Sequence, residues 1–126
     1  MNILGIGIDI IEIDRIEKVL SRTPRFLDRN FTEKEIEYFK ENNFRAQSIA
    51  GNFAAKEAIS KAIGTGIRGF NLIDIEVLRN DLGKPVVNTY NNLKDICIKY
   101  NVKEIKVSIS HSENYAVANS LIITED

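Results

Sequence analysis

Two carboxylates carry the chemistry this sequence offers. Glu57 lies in a run whose helical projection sets it between Ala50 and Phe53, with Ala54 close by, on a helix apolar nearly all round. A carboxylate there is costly to desolvate unless a cation compensates it. Lys61, one turn on, is one candidate cation, through an i,i+4 pair worth only ~0.3–0.5 kcal/mol when exposed. A bound divalent metal is the other. Asp9 ends the glycine face of an apolar strand, where a strand-end charge or a helix N-cap would explain it. A strand-borne Asp facing a helix-borne Glu would instead make an oxygen-rich site. Such a site suits magnesium, which keeps several waters and takes its other ligands from substrate phosphates.

Three further groups invite a reading. Gly64-Thr65-Gly66 follows the helix of Glu57; it is either a plain helix stop or a short loop whose amides could approach a phosphate. His111 is the only histidine, so a histidine-rich metal site is excluded; it stands at a strand-to-turn junction behind Ser108 and Ser110. Arg15, Lys18 and Arg22 share one stripe of a helix. They form either a solvated face mixed with Glu12, Asp14 and Glu17 or a surface for an acidic protein.

The elements that must position these residues follow from periodicity. Ile3 to Ile11 alternates, with Leu4, Ile6, Ile8 and Ile10 on one face and Gly5, Gly7 and Asp9 on the other, and is apolar enough for a central strand. Its glycine face would let another backbone or a ligand approach closely. Ile13, Ile16, Val19 and Leu20 predict a helix ending before Pro24. Thr32 and Glu35 form a capping-box pattern for a second helix with Ile36 and Phe39 inward. A long helix runs from about Arg45 to Ile63. Then Ile73, Ile75 and Val77 alternate, and Asp81 to Lys84 turns into a strand after Pro85. Leu93, Ile96, Cys97 and Tyr100 mark another helix, and Ile105 to Ile123 a closing hairpin whose last three following residues should fray. The sum is α+β: a mixed or antiparallel sheet packed against helices, with one long central helix.

Composition narrows the classes. At 126 residues, 44% hydrophobic and 28% charged, the chain has the make-up of one ordinary globular domain, 1–126. A net charge of −1 gives no basic field for nucleic acid. The single Cys97 excludes an internal disulfide and fits a reducing, cytoplasmic setting. No apolar run reaches membrane-spanning length, and Asp9 interrupts the first one, which reads as a strand rather than a signal peptide.

Three segments in order then resemble one family. Gly5-Ile6-Gly7-Ile8-Asp9 followed by Arg15, Phe53 to Ala62 with Gly64-Thr65-Gly66, and Ser108-Ile109-Ser110-His111 with Tyr115-Ala116 are similar to the signatures of the holo-acyl-carrier-protein synthases, the small 4'-phosphopantetheinyl transferases. The resemblance spans essentially the whole chain. It implies transfer of the 4'-phosphopantetheine arm of coenzyme A to a serine of apo-acyl carrier protein, releasing 3',5'-ADP, in support of fatty acid biosynthesis. It further implies Mg2+ held by Asp9 and Glu57, with Glu57 and Lys61 catalytic. Gly64, Thr65, Gly66 and His111 would line the coenzyme A groove, and Arg15 and Arg22 would meet the carrier protein. A homotrimer with inter-subunit active sites is also implied. One departure is Asn52, where relatives commonly carry an arginine; Arg45 or another nearby base would have to replace it, and Asn52 receives no role.

Overall fold

The computed structural model describes residues 1–64 and 69–125. Strand β1 (Asn2–Glu12) leads directly into α1 (Ile13–Arg22), then a short α2 (Phe26–Asn30), α3 (Glu33–Glu41) and the long α4 (Ala46–Ile63). A 3-10 turn (Leu72–Asp74) opens the hairpin β2 (Ile75–Arg79) and β3 (Pro85–Thr89); α5 (Asn91–Lys99) and the hairpin β4 (Val102–His111) and β5 (Tyr115–Thr124) complete the chain. The fold is α+β, with an antiparallel sheet in the order β1-β5-β4 and a separate antiparallel pair β2-β3.

Helix boundaries follow local chemistry. Thr32 accepts a hydrogen bond from the Glu35 amide while the Glu35 carboxylate accepts from the Thr32 amide at 3.0 Å, so the expected capping box opens α3. Gly64, at φ 89°, closes α4 in the left-handed region that its missing Cβ permits. Helix α4 is the centre of the molecule. It packs on β1, β5 and β4 and borders the β2-β3 hairpin and α1. Of its eighteen residues, twelve are buried.

The burial pattern divides α4 into stripes spaced by one turn. Asn52, Lys56 and Ser60 are polar and buried, whereas Phe53, Glu57 and Lys61 form a stripe that is not. Lys56 is fully enclosed. Its Nζ donates to Glu35 Oε1 at 2.6 Å, to the Asn30 carbonyl at 2.6 Å and to the Leu72 carbonyl at 3.2 Å, and it lies 4.6 Å from the centre of the Phe31 ring. All three ammonium protons are used. Glu35 also accepts from the Val77 amide at 3.1 Å. Burial pulls Glu35 upward and Lys56 downward in pKa, toward their neutral forms, and each partner's charge opposes that pull. The pair therefore ties α4 to α3 and to β2 from inside the core.

Several expectations change in three dimensions. Strand β1 is an edge strand and β5 the central one. A bulge between Ile3 and Gly5 shifts the alternation, so Leu4 packs against the core while Ile3 turns outward. Ile6, Ile8 and Ile10 are 70%, 61% and 63% exposed, so the apolar face of β1 points away from α4 and the glycine face toward it. Ile73 belongs to the 3-10 turn rather than to a strand, and α2 had no periodic signal. The end of the chain is not frayed through Glu125: Thr124 pairs with Asn2 and Val102, and the Glu125 amide donates to the Asn101 carbonyl at 2.9 Å. Among the described residues, no helix is long and apolar enough to cross a membrane.

The contact of β1 with α4 is backbone on backbone. A methyl group at Gly7 would overlap the Ala58 carbonyl oxygen, and one at Gly5 the Ala62 carbonyl oxygen. We expect Gly7→Ala to cost at least ~2 kcal/mol of stability, because backbone cannot yield as a side chain can. A denaturation midpoint equal to that of the wild type would refute this close approach.

Candidate active site

Asp9, Glu57 and Lys61 meet where β1 crosses the C-terminal half of α4. Asp9 sits on the glycine face of β1, opposite Ala118 of β5, and therefore points to the helix side. Lys61 Nζ donates to Asp9 Oδ1 at 3.2 Å and to the Ile8 carbonyl at 2.9 Å. Its ion-pair partner is thus Asp9 across the strand–helix junction, not Glu57 one turn back. The Asp9 side chain is 19% exposed and that of Lys61 55%, so the pair opens to solvent at one end.

Glu57 is half-buried beside this pair. Its pKa is raised, first by burial and then by the Asp9 charge, with Lys61 opposing. No hydrogen bond or ion pair holds its carboxylate among the described residues. The donor set is therefore two carboxylates with one lysine on the flank. Hard oxygen donors whose mutual repulsion is relieved by a divalent cation fit magnesium. They form a pair only; no cluster of three or more metal-binding side chains exists among the described residues.

The other candidates are distributed. Gly64 caps the same end of α4. Thr65 and Gly66 lie outside the described residues. Arg15 and Arg22 are exposed on α1, which leaves β1 immediately after the site; Lys18 between them pairs with Asp14 at 2.9 Å. His111 is not brought to the carboxylates. It is exposed at the end of β4 and lines a separate groove with Gln47, Ser48 and Gly51 from the first half of α4.

That groove contains a residue not anticipated from sequence. Arg79, at the end of β2, donates through Nη2 to Asn52 Oδ1 at 2.9 Å and lies 5.0 Å from the centre of the Tyr38 ring. Asn52 thus has a role after all: it is fully buried, donates to the Val77 carbonyl at 2.9 Å, and holds the arginine. The base beside Asn52 is Arg79, whereas Arg45 is the exposed N-cap of α4. The available signal was an arginine closing a short strand of mostly β-branched and apolar residues.

A strand–helix carboxylate pair on this α+β frame defines a class, and the chain belongs to the 4'-phosphopantetheinyl transferase superfamily, whose profile it matches over residues 5–120. The chain is 56% identical over 125 residues to the holo-[acyl-carrier-protein] synthase of Clostridium beijerinckii, across 95% of this chain and 97% of that one. Among solved structures, the holo-[acyl-carrier-protein] synthase of Neisseria meningitidis superposes with a TM-score of 0.90 at 30% identity, covering 98% of this chain and 100% of that one. The Bacillus anthracis synthase in complex with CoA (3',5'-ADP) superposes with a TM-score of 0.81 at 41% identity, covering 98% of both chains.

The raised pKa of Glu57 fixes the sign of a pH effect. A carboxyl that binds its proton more tightly folded than unfolded opposes folding once ionised. Its cost is absent below the unfolded carboxylate pKa and grows as pH rises through the folded one. Glu57→Gln should therefore raise the thermal midpoint at neutral pH, and the gain should shrink toward zero as the pH is lowered through the carboxylate range. Melting curves across that range check it; a gain that is constant with pH would show that burial and Asp9 do not act on the Glu57 charge.

Proposed function

We propose that the chain transfers the 4'-phosphopantetheine arm of coenzyme A to a serine hydroxyl of an apo-acyl carrier protein, with magnesium, in support of fatty acid biosynthesis in the cytoplasm. The observation that carries the reading is the convergence of Asp9, Glu57 and Lys61 at the β1–α4 crossing. The relatives' name, holo-[acyl-carrier-protein] synthase, and the CoA complex of the Bacillus anthracis protein supply the two substrates.

Asp9 and Glu57 would hold the magnesium ion, which when bound supplies positive charge beside the diphosphate of the donor. In the reaction the serine oxygen forms a bond to the phosphorus that bears the pantetheine arm. The bond from that phosphorus to the bridging oxygen breaks, and the electron pair leaves with 3',5'-ADP. Glu57, half-buried beside Asp9, would take the proton from the serine hydroxyl. Lys61 donates to the Ile8 carbonyl and to Asp9, which leaves one ammonium proton for a phosphate oxygen in the transition state. Gly64 with Thr65 and Gly66, and His111 in its groove, would receive the donor; exposed Arg15 and Arg22 would receive the acidic carrier protein.

The reading includes a homotrimer with active sites between subunits. Two features support it. Ile3, Ile6, Ile8 and Ile10 present a contiguous apolar edge on β1, and the His111 groove lies apart from the carboxylates within one chain.

Incubating apo-carrier protein with coenzyme A and magnesium should add the mass of one phosphopantetheine arm. Asp9→Asn and Glu57→Gln should each lower turnover by about two orders of magnitude or more. Free phosphopantetheine with unmodified carrier protein would instead identify a hydrolase. Ile8→Glu should yield a folded, monomeric and inactive chain by sedimentation and circular dichroism, since Ile8 lies outside the core. Sedimentation of the wild type as a fully active monomer would overturn the trimer.

A further inference from the structure

The carboxylate site carries a cation of its own, and that cation is bonded to one of the oxygens a metal ion would need. Lys61 Nζ donates to Asp9 Oδ1 at 3.2 Å and to the Ile8 carbonyl at 2.9 Å. Glu57, the second carboxylate, feels the Asp9 charge and has no hydrogen bond or ion pair among the described residues. Lys61 is the only described side chain whose charge is in direct contact with either carboxylate. Without it, two like charges would face each other bare.

The two partners of this ion pair are held unequally. Asp9 is only 19% exposed, and its backbone is fixed by pairing with Ala118 on β5. Lys61 is 55% exposed, so its ammonium regains water on leaving Asp9, and a pair this open is weakly held. The bond to the Ile8 carbonyl does not depend on Asp9. That oxygen belongs to the residue after Gly7, whose backbone rests against the Ala58 carbonyl, so it is a fixed point about which the ammonium can turn. A lysine is suited to such a turn, being a point charge with three donors on a flexible stem. An arginine fork would grip both oxygens of Asp9 and keep them. A carboxylate kept in place and a cation free to leave it are what an exchange of counter-ions requires.

We infer that Lys61 is an exchangeable counter-ion: it neutralises Asp9, yields that carboxylate to a divalent cation, and turns on the Ile8 carbonyl to bring a second ammonium proton to the donor's diphosphate. This rests on the proposed function. In the arrangement seen, two of the three ammonium protons are committed and one remains; released from Asp9, Lys61 has two for phosphate oxygens. The exchange links two events. Lys61 acts at full strength on the diphosphate only where its charge is no longer needed at Asp9, and occupation of the carboxylates by a metal ion carries the loss of the Lys61–Asp9 bond.

Calorimetry with Mg2+ and no donor separates this exchange from plain charge repulsion. Lys61→Met lacks the competitor and should bind Mg2+ about threefold more tightly than the wild type, or better. Lys61→Arg keeps the charge but grips Asp9 with a fork, and should bind Mg2+ about threefold more weakly, or worse. Repulsion alone would leave Lys61→Arg equal to the wild type, and that result would overturn the inference. So would Lys61→Met binding no more tightly, or no binding of Mg2+ by any of the three chains. Nuclear magnetic resonance of the wild type gives a second readout that depends on no variant folding. The Lys61 ammonium signal should shift on titration with Mg2+ alone, and Asp9→Asn should abolish that shift. A Lys61 signal indifferent to Mg2+ would overturn the exchange while transfer of the arm stands. An exchange observed in a chain that modifies no carrier protein would overturn the functional reading alone.

Discussion

Everything at the site depends on how closely a strand can approach a helix. Gly5 and Gly7 have no side chains, so β1 lies directly against the carbonyls of Ala62 and Ala58 on α4. Small residues on both elements are what permit this, since any Cβ on the strand would force them apart. The same approach turns Asp9, two residues beyond Gly7, toward α4 and brings the Ile8 carbonyl within reach of Lys61. A site assembled from a strand and a helix remote in sequence is therefore only as precise as the glycine contact beside it.

Helix α4 reconciles two opposed demands. Its Asn52–Lys56–Ser60 stripe is polar yet sealed in the core, and it is tolerable there because every polar side-chain atom among the buried described residues finds a partner. Its Phe53–Glu57–Lys61 stripe is less buried, and there Lys61 pairs with Asp9 while the Glu57 carboxylate has no hydrogen-bond partner among the described residues. Satisfied polarity inside gives the helix one orientation; unsatisfied polarity outside leaves chemistry to be done. A helix buried nearly all round holds the second stripe still because the first cannot rotate without stranding Lys56.

Much of this is legible in the residues, and the boundary is physical. Local signals hold: the Thr32–Glu35 box, Gly64 as a helix stop, the extent of α4 and the β4–β5 hairpin all follow from neighbours within a few positions. The Asp9–Glu57 reading relies on the strand and the helix each presenting a face, and those faces do meet. What escapes is long-range. Alternation in β1 cannot say whether an isoleucine face meets a core or the outside, and the bulge at its start moves Leu4 to the other side. Lys61 pairs with Asp9, fifty-two residues away, rather than with the carboxylate one turn back on its own helix. Glu35 reads as a cap residue and is also the counter-ion of Lys56, twenty-one residues on. Arg79 becomes visible only when the hairpin folds beside Asn52.

The two lysines of the Phe53 to Ala62 run show how one short segment mixes unlike constraints. Lys61 is exposed at the carboxylates, while Lys56, five residues earlier, is walled in by a carboxylate, two carbonyls and an aromatic ring. A loss-of-function screen would score alanine at either position as a dead enzyme and file both under chemistry. On the proposed function the loss at Lys61 would concern the reaction, whereas the loss at Lys56 would come from a chain that no longer assembles its interior. Ranking positions by the severity of their phenotype would thus put a residue sealed in the core level with those proposed to meet the substrate. Yield of soluble protein, set beside turnover, is what tells the two kinds of loss apart.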